Sequence, residues 1–168
     1  KIQEFQNQTM ANEIDTVIAI GGGKSIDVAK VIAAEKGTAL VICPTIASTD
    51  APTSAMSILY SEEGKMNEIM LHRKNPDLVL VDSKIIANAP VRFLVAGMGD
   101  ALSTYFEGIS NTQTQHANYV WCDKRPFVST VTGRAVAKAC FDTLMEDGLQ
   151  AKAACERKIT VQALENII

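Results

Sequence analysis

The chain has 168 residues, 47% of them hydrophobic and 21% charged, and carries a formal net charge of -3. This is the balance of a globular protein with enough chain for one medium domain or two small ones. Because the 16 lysines and arginines are scattered and form no basic stripe, the composition excludes the usual nucleic-acid interface. No apolar run approaches the roughly 20 residues that span a bilayer, so no membrane partner is expected.

The first predicted elements form a strand, helix, strand unit. TVIAI (16–20) is short, apolar and rich in β-branched residues, which predicts a strand buried on both faces. KSIDVAKVIAAEKG (24–37) has apolar residues at helical spacing and ends at Gly37, which suits a helix C-cap. ALVICPT (39–45) predicts a second buried strand. A unit of this order is expected to have parallel strands and a right-handed crossover.

Further along the chain the predicted elements change from strands to helices. SAMSILY (54–60) and MNEIMLH (66–72) predict a hairpin, since Gly64 between them can adopt a positive φ. DLVLVD (77–82) predicts one more strand. From about residue 88 onward only helices are predicted, with Pro90 near a helix start, so we place a domain boundary between residues 87 and 90.

The four cysteines, at positions 43, 122, 140 and 155, show no CxxC spacing, and three of them lie in apolar stretches. A reduced thiol packs there as a small hydrophobic group, so we expect a cytoplasmic protein. The first residue is a lysine and not a methionine. We therefore expect that the chain begins inside a longer or processed gene product.

Three glycines and a lysine, GGGK (21–24), join the first strand to the first helix. Glycines allow a tight turn and a close approach to a ligand, and the helix start offers unpaired N–H groups to phosphate. Neither the Walker pattern nor GxGxxG fits, because Ile18 and Ile26 stand where glycines are required. Two interpretations stay open: a phosphate site with Lys24 as its cation, or a turn that binds nothing. Asp27 is ambiguous too, because an acidic first-turn residue favours the helix dipole without any ligand.

A polar loop, CPTIASTDAPTSAMS (43–57), follows the second strand. Loops at the carboxyl ends of parallel strands commonly carry binding groups. Here the candidate groups are the hydroxyls of Thr45, Ser48 and Thr49 and the carboxylate of Asp50. Composition alone supports no more than a polar loop.

Four motifs occur in this order along the chain: IGGGKSIDVAK, PTIASTDAPTSA, NPDLVLVDSKI and AGMGDALSTYFE. Together they resemble the iron-containing, or polyol, alcohol dehydrogenases, from about Glu13 to the end of the chain. Within that group STDAP is similar to the members that act on glycerol, where other members usually carry a TTAGTGSE-like loop. The resemblance implies an α/β fold with part of a parallel-sheet NAD-binding domain in residues 1–89. The start of an all-helical metal-binding domain would follow in residues 90–168, with the active site between the two.

The activity that the resemblance implies is NAD-dependent oxidation of glycerol to dihydroxyacetone, with a divalent metal, zinc, as Lewis acid. It also implies that a homo-oligomer forms. Asp50 would bind the polyol and Asp100 would be a metal ligand, which makes these two the expected catalytic residues. By the residues alone, a salt-bridged or exposed Asp100 is the commoner interpretation. The residues implied along the cofactor are Gly23, Lys24, Asp27, Thr45, Ser48, Ser54, Met56 and Tyr60, with Met56 where the family often has leucine.

A catalytic zinc site needs about three protein ligands, and Asp100 is the single convincing candidate in this sequence. The resemblance implies two further histidine ligands beyond Ile168 and a first strand before Lys1, so we expect a fragment of a longer enzyme. His72 and His116 are expected at the surface and not as ligands. Three alternatives stay open: a related diol or alcohol dehydrogenase, a non-catalytic nucleotide-binding or subunit-interaction module, and an α/β domain whose glycine turn binds nothing.

Overall fold

The structure is a computed structural model that describes residues 13–61, 63–116 and 128–168; Cys122 lies outside these residues. All strands in the described part precede residue 80, and helices follow from residue 83 onward. The elements in chain order are β1 (Thr16–Gly21), α1 (Gly23–Lys36), β2 (Ala39–Pro44), β3 (Met56–Tyr60), β4 (Met66–Leu71), β5 (Leu78–Val79), α2 (Ser83–Asn88), α3 (Val91–Thr114), α4 (Val131–Glu156) and α5 (Gln162–Ile167).

A parallel three-stranded sheet in the order β1-β2-β5 confirms the predicted strand, helix, strand unit. The register pairs Thr16 with Ala39 and continues to Gly21 opposite Pro44. Helix α1 ends at Gly37, whose φ of 67° is left-handed, as expected of a C-cap glycine. The first core lies between α1 and the sheet, and its buried members are Ala19, Ile26, Ala29, Ala33, Leu40 and Ile42.

The prediction that the first strand is buried on both faces is wrong for the described part of the chain. Ile18 is 61% exposed and Ile20 is 70% exposed, whereas Ala19 between them is buried. Successive side chains of a strand point to opposite faces, and α1 packs on the face that carries Ala19. The sequence therefore predicts the strand correctly, but it does not predict that the face carrying Ile18 and Ile20 is exposed.

The strand predicted over residues 77–82 is shorter than expected, since β5 spans only Leu78–Val79. The Leu80 amide still donates to the Ile42 carbonyl at 2.8 Å. The chain then leaves the sheet because Asp82 becomes the N-cap of α2, with its side chain accepting from the amides of Lys84 and Ile85. An aspartate at this position favours a helix start over a continued strand.

The predicted hairpin is present as β3 and β4, an antiparallel pair that forms a sheet of its own. Met56 pairs with Leu71, and Tyr60 pairs with Met66 after a register shift. Gly64 in the turn has a φ of 77°, as the sequence predicts. Neither hairpin strand pairs with a strand of the parallel sheet. The position of the hairpin therefore depends on contacts with α1.

The helices from α2 onward enclose a second core, whose buried residues are Ala87, Leu94, Ala151, Ala154, Cys155 and Leu164. Pro90 immediately precedes α3, as predicted. The loop after β2 packs against this core through Ala47. These findings confirm the α/β fold with a parallel sheet followed by helices, while the division at residues 89 and 90 stays a prediction. None of the described helices combines the length and the apolar character that a bilayer crossing demands.

Candidate active site

An open cleft of about 750 Å³ lies where the glycine turn after β1, the loop after β2, the hairpin and helix α3 meet. This volume falls in the range of small-molecule sites. Nine of the ten site residues predicted from the sequence line it: Gly23, Lys24, Asp27, Ser48, Asp50, Ser54, Met56, Tyr60 and Asp100. Thr45 is the exception among the ten, and its backbone amide donates to the Gly21 carbonyl at 3.0 Å.

The three glycines of the turn are not equivalent. Gly21 has a φ of 152°, which favours glycine by itself, and a Cβ on Gly22 would meet the Ile46 Cδ1 atom at 2.7 Å. A Cβ on Gly23 would meet only Thr49 Oγ1, at 3.9 Å. The backbone conformation accounts for Gly21, and a side chain on Gly22 would require the end of Ile46 to shift. Packing does not require Gly23, which faces the cleft.

Helix α1 directs its amino-terminal end at the cleft. Its N-cap is Gly22, which supplies no side-chain cap, and Gly23, Lys24 and Ser25 all line the cleft. The first amides of a helix have no acceptor inside the helix and carry the positive end of its dipole. Together with the space in front of Gly23, this makes the turn suitable for an anionic group such as a phosphate.

Helix α1 begins at Gly23, so Asp27 lies in its second turn, and the first turn contains no acidic residue. The interpretation of Asp27 as a first-turn partner of the helix dipole is therefore wrong. Its Oδ1 atom lies 3.8 Å from the Nζ atom of Lys30, and burial raises the pKa of Asp27 above its ordinary value even though the Lys30 charge acts in the opposite direction. Asp27 lines the cleft while bonding to groups of the protein itself.

Lys30 does not line the cleft, but it bonds to Ser54 and Met56, which do, and the sequence did not single it out. Its side chain is 2% exposed, and its Nζ atom donates to Ser54 Oγ at 3.1 Å and to the Met56 carbonyl at 2.7 Å. A signal existed: Lys30 falls within the apolar run AKVIA, on a helix whose residues on either side, Ala29 and Val31, are buried. A lysine in such a run must find partners inside the protein.

The loop after β2 presents Ser48 and Asp50 to the cleft. The Ala51 amide donates to Thr49 Oγ1 at 3.2 Å, and the Thr53 amide donates to the Asp50 carbonyl at 3.0 Å. The Asp50 backbone is thus bonded in a turn while its side chain lies exposed at the cleft. A fixed backbone with a free carboxylate can orient a ligand that carries hydroxyl groups.

Asp100 enters the cleft from α3. Partial burial raises the pKa of the Asp100 carboxyl, and the negative charges of Asp50 and Glu107 raise it further. A divalent cation beside Asp100 would relieve this repulsion. Asp100 is therefore suited to supply one of the ligands of a metal ion. Among the residues that the structure describes, no group of three His, Cys, Asp or Glu side chains is placed to hold a metal ion.

Neither described histidine adds to the cleft. His116 is exposed, as predicted. His72 is only half-exposed, and its Nε2 atom lies 2.8 Å from Ser57 Oγ. Because that hydroxyl donates its proton to the Asp27 carbonyl, His72 must be the donor in their bond, which fixes the proton on Nε2. The expectation of a surface position is thus corrected for His72.

Residues 1–83 match the family model described as iron-containing alcohol dehydrogenase. The chain therefore carries a domain of the iron-containing alcohol dehydrogenase family. Over 156 residues it is 46% identical to the glycerol dehydrogenase of Thermotoga maritima, covering 93% of this chain and 42% of that protein. It is 38% identical over 168 residues to the glycolaldehyde reductase of Halobacterium salinarum, covering 100% of this chain and 45% of that protein.

A solved structure shows the same similarity in three dimensions. The probable glycerol dehydrogenase of Sinorhizobium meliloti 1021 superposes with a TM-score of 0.88 and 44% sequence identity. The superposition covers 99% of this chain and 45% of that one. The chain thus spans less than half the length of each of these relatives, and its fold is that of the corresponding part of a glycerol dehydrogenase.

Proposed function

We propose that the protein is an NAD-dependent glycerol dehydrogenase, which oxidises glycerol to dihydroxyacetone. One observation carries the proposal. The glycine turn, the STDAP loop and Asp100 come from separate parts of the chain and line one cleft, in a chain similar to glycerol dehydrogenases.

In this proposal the NAD pyrophosphate lies at the start of α1, against the amides of Gly23 and Lys24, and the Lys24 ammonium adds a positive charge. Ser48 offers a hydroxyl from the loop after β2, whereas Ser54, Met56 and Tyr60 form the wall on the hairpin side. Thr45 contributes through the backbone turn that it closes on Gly21 and not from the cleft wall. Asp27 acts by holding the hairpin in place.

Asp50 accepts hydrogen bonds from the polyol hydroxyls, and Asp100 holds a divalent metal, for which we propose zinc. Zinc supplies Lewis-acid chemistry at such sites when it is bound. The chain's own residues contribute position, because a carboxylate on the loop, Asp50, and a carboxylate on α3, Asp100, line the same cleft.

Two alternatives are each favoured by one observation. The similarity to a glycolaldehyde reductase favours a sibling enzyme that acts on a shorter diol. The absence of a three-ligand group among the described residues favours a module that binds the nucleotide without catalysis.

The deciding experiment measures NADH formation by the protein at its natural length, with NAD, zinc and either glycerol or ethane-1,2-diol. We expect glycerol to support turnover, and Asp100→Asn to abolish both turnover and stoichiometric zinc. Asp142→Asn, an exposed aspartate on α4, serves as the matched control and is expected to change neither. Turnover with the diol alone would favour the sibling enzyme, and NAD binding without turnover would favour the non-catalytic module.

We further propose a cytoplasmic location and a homo-oligomer. Cys43, Cys140 and Cys155 are free thiols, which favours a reducing compartment. Helix α4 exposes large apolar side chains, among them Val131 at 76% and Leu149 at 85%, and such side chains favour a protein contact. The division into a cofactor-binding domain, residues 1–89, and a helical domain, residues 90–168, is proposed on the change from strands to helices, and the second core draws Ala87 and Ala47 from the first of these parts.

A further inference from the structure

Lys30 is the most deeply buried charged side chain in the described part of the chain. Its ammonium donates to Ser54 Oγ at 3.1 Å and to the Met56 carbonyl at 2.7 Å, and it forms an ion pair with the Asp27 carboxylate at 3.8 Å. Two of these acceptors belong to the segment that enters β3. Lys30 therefore joins α1 to the first strand of the hairpin.

Asp27 makes the reciprocal connection. The Ser57 hydroxyl donates to its backbone carbonyl at 3.0 Å, and the backbone of Ile58 acts to lower the pKa of its carboxyl, against the larger effect of burial. Ser57 is fully buried. One turn of α1, from Asp27 to Lys30, thus holds the segment that enters β3 by hydrogen bonds at three residues, Ser54, Met56 and Ser57.

This connection matters because the hairpin is a separate sheet. Met56, Ile58 and Tyr60 line the cleft from the hairpin side, and Gly22, Gly23 and Lys24 line it from the start of the helix that carries Asp27 and Lys30. The distance between the two walls is therefore set by how the hairpin sits on α1.

We propose that the Asp27–Lys30 pair is a positioning device that fixes the hairpin wall relative to the glycine turn and so sets the affinity of the cleft for NAD. Neither residue is catalytic in this proposal. The link to NAD rests on the function proposed above, whereas the link to the hairpin rests on the contacts alone. A buried ion pair adds little net stability compared with apolar side chains of similar volume, so stability alone does not explain why this pair is buried.

The test compares the wild-type chain with Lys30→Met, which keeps the length and apolar stem of the side chain but removes the ammonium. Asp27→Asn and the double variant complete a mutant cycle. Lys138→Met is the matched control, since Lys138 is also paired with an aspartate, Asp142, but at an exposed site on α4. Three quantities are measured: amide hydrogen exchange in residues 56–60, the NAD dissociation constant by calorimetry, and the melting temperature.

We expect Lys30→Met to speed amide exchange in residues 56–60 by about tenfold or more, because charged hydrogen bonds hold this strand. Exchange in α3 and α4 is expected to stay unchanged. The NAD dissociation constant should rise by about tenfold, the double variant should resemble the single one, and Lys138→Met should have no effect on either quantity.

Unchanged exchange in residues 56–60 would overturn the proposal, and faster exchange with unchanged NAD affinity would overturn its link to the cofactor. If Lys30→Met does not fold, Asp27→Asn, which preserves the side-chain shape, decides by the same criteria. If the wild-type chain does not bind NAD, the proposed function fails, and the exchange data still decide whether the pair positions the hairpin.

Discussion

Gly97 on α3 is predicted to tolerate no side chain, although alanine usually improves a helix. A Cβ built on Gly97 lies 2.3 Å from the Ala47 carbonyl oxygen and 3.0 Å from its carbonyl carbon. Both atoms belong to backbone, which cannot rotate away as a side chain can. Gly97→Ala must therefore push α3 away from the loop that carries Ser48 and Asp50.

The magnitude follows from two opposing effects. Replacing a helical glycine by alanine stabilises by about 0.5–1 kcal/mol, and overpacking costs about 1–3 kcal/mol. Gly99, two residues further along the same helix, has no atom within 4 Å of a built Cβ, so Gly99→Ala gains the first effect without the second. The two variants should differ by about 2 kcal/mol, or about 4–8 °C in melting temperature for a chain of this size.

The assay is thermal unfolding of the wild-type chain and both alanine variants, followed by far-UV circular dichroism. We expect Gly99→Ala to melt above the wild type and Gly97→Ala to melt below it. Equal melting temperatures for the two variants would refute the close contact between α3 and the loop, and with it the described shape of the cleft.

Two further predictions concern the ends of secondary structure elements. Asp82→Ala should lower the free energy of unfolding by about 1 kcal/mol in urea titrations, because the Asp82 carboxylate accepts from the Lys84 amide at 2.9 Å and caps α2; Asp82→Asn should retain most of the stability. Bonds from Lys74 and from the Leu40 amide lower the pKa of Asp77 below its ordinary value of 3.8. Its contribution to stability is therefore fully present above that pH and is lost as the pH falls through the lower folded-state pKa. The urea midpoint of Asp77→Asn should accordingly be lower than that of the wild type at neutral pH, and the two midpoints should converge in acid.

The sequence predicted the elements that depend on local chemistry. Gly37 and Gly64 adopt the positive φ values expected of them, and the β-branched runs at residues 16–20 and 39–43 form parallel strands. These features follow from backbone sterics and from short-range patterns of apolar residues.

The sequence did not predict features that depend on which elements meet in space. The exposure of Ile18 and Ile20 depends on what covers the second face of the sheet, and the role of Lys30 depends on the hairpin reaching α1. A single sequence contains no direct signal for such contacts. The candidate site rests largely on four motifs that resemble a family; nine of its ten residues line one cleft, and the role of Thr45, whose amide donates to the Gly21 carbonyl, stays a prediction with theirs.

The most direct test of the account is a calorimetric titration of this chain with NAD, for the wild type and for Gly23→Val. We predict one saturable site in the wild type, and an affinity weakened by about tenfold or more in the variant at an unchanged melting temperature, because the new side chain would stand where the backbone approaches the pyrophosphate. An equal affinity in both proteins, or no binding by the wild type, would contradict the claim that the glycine turn holds a dinucleotide.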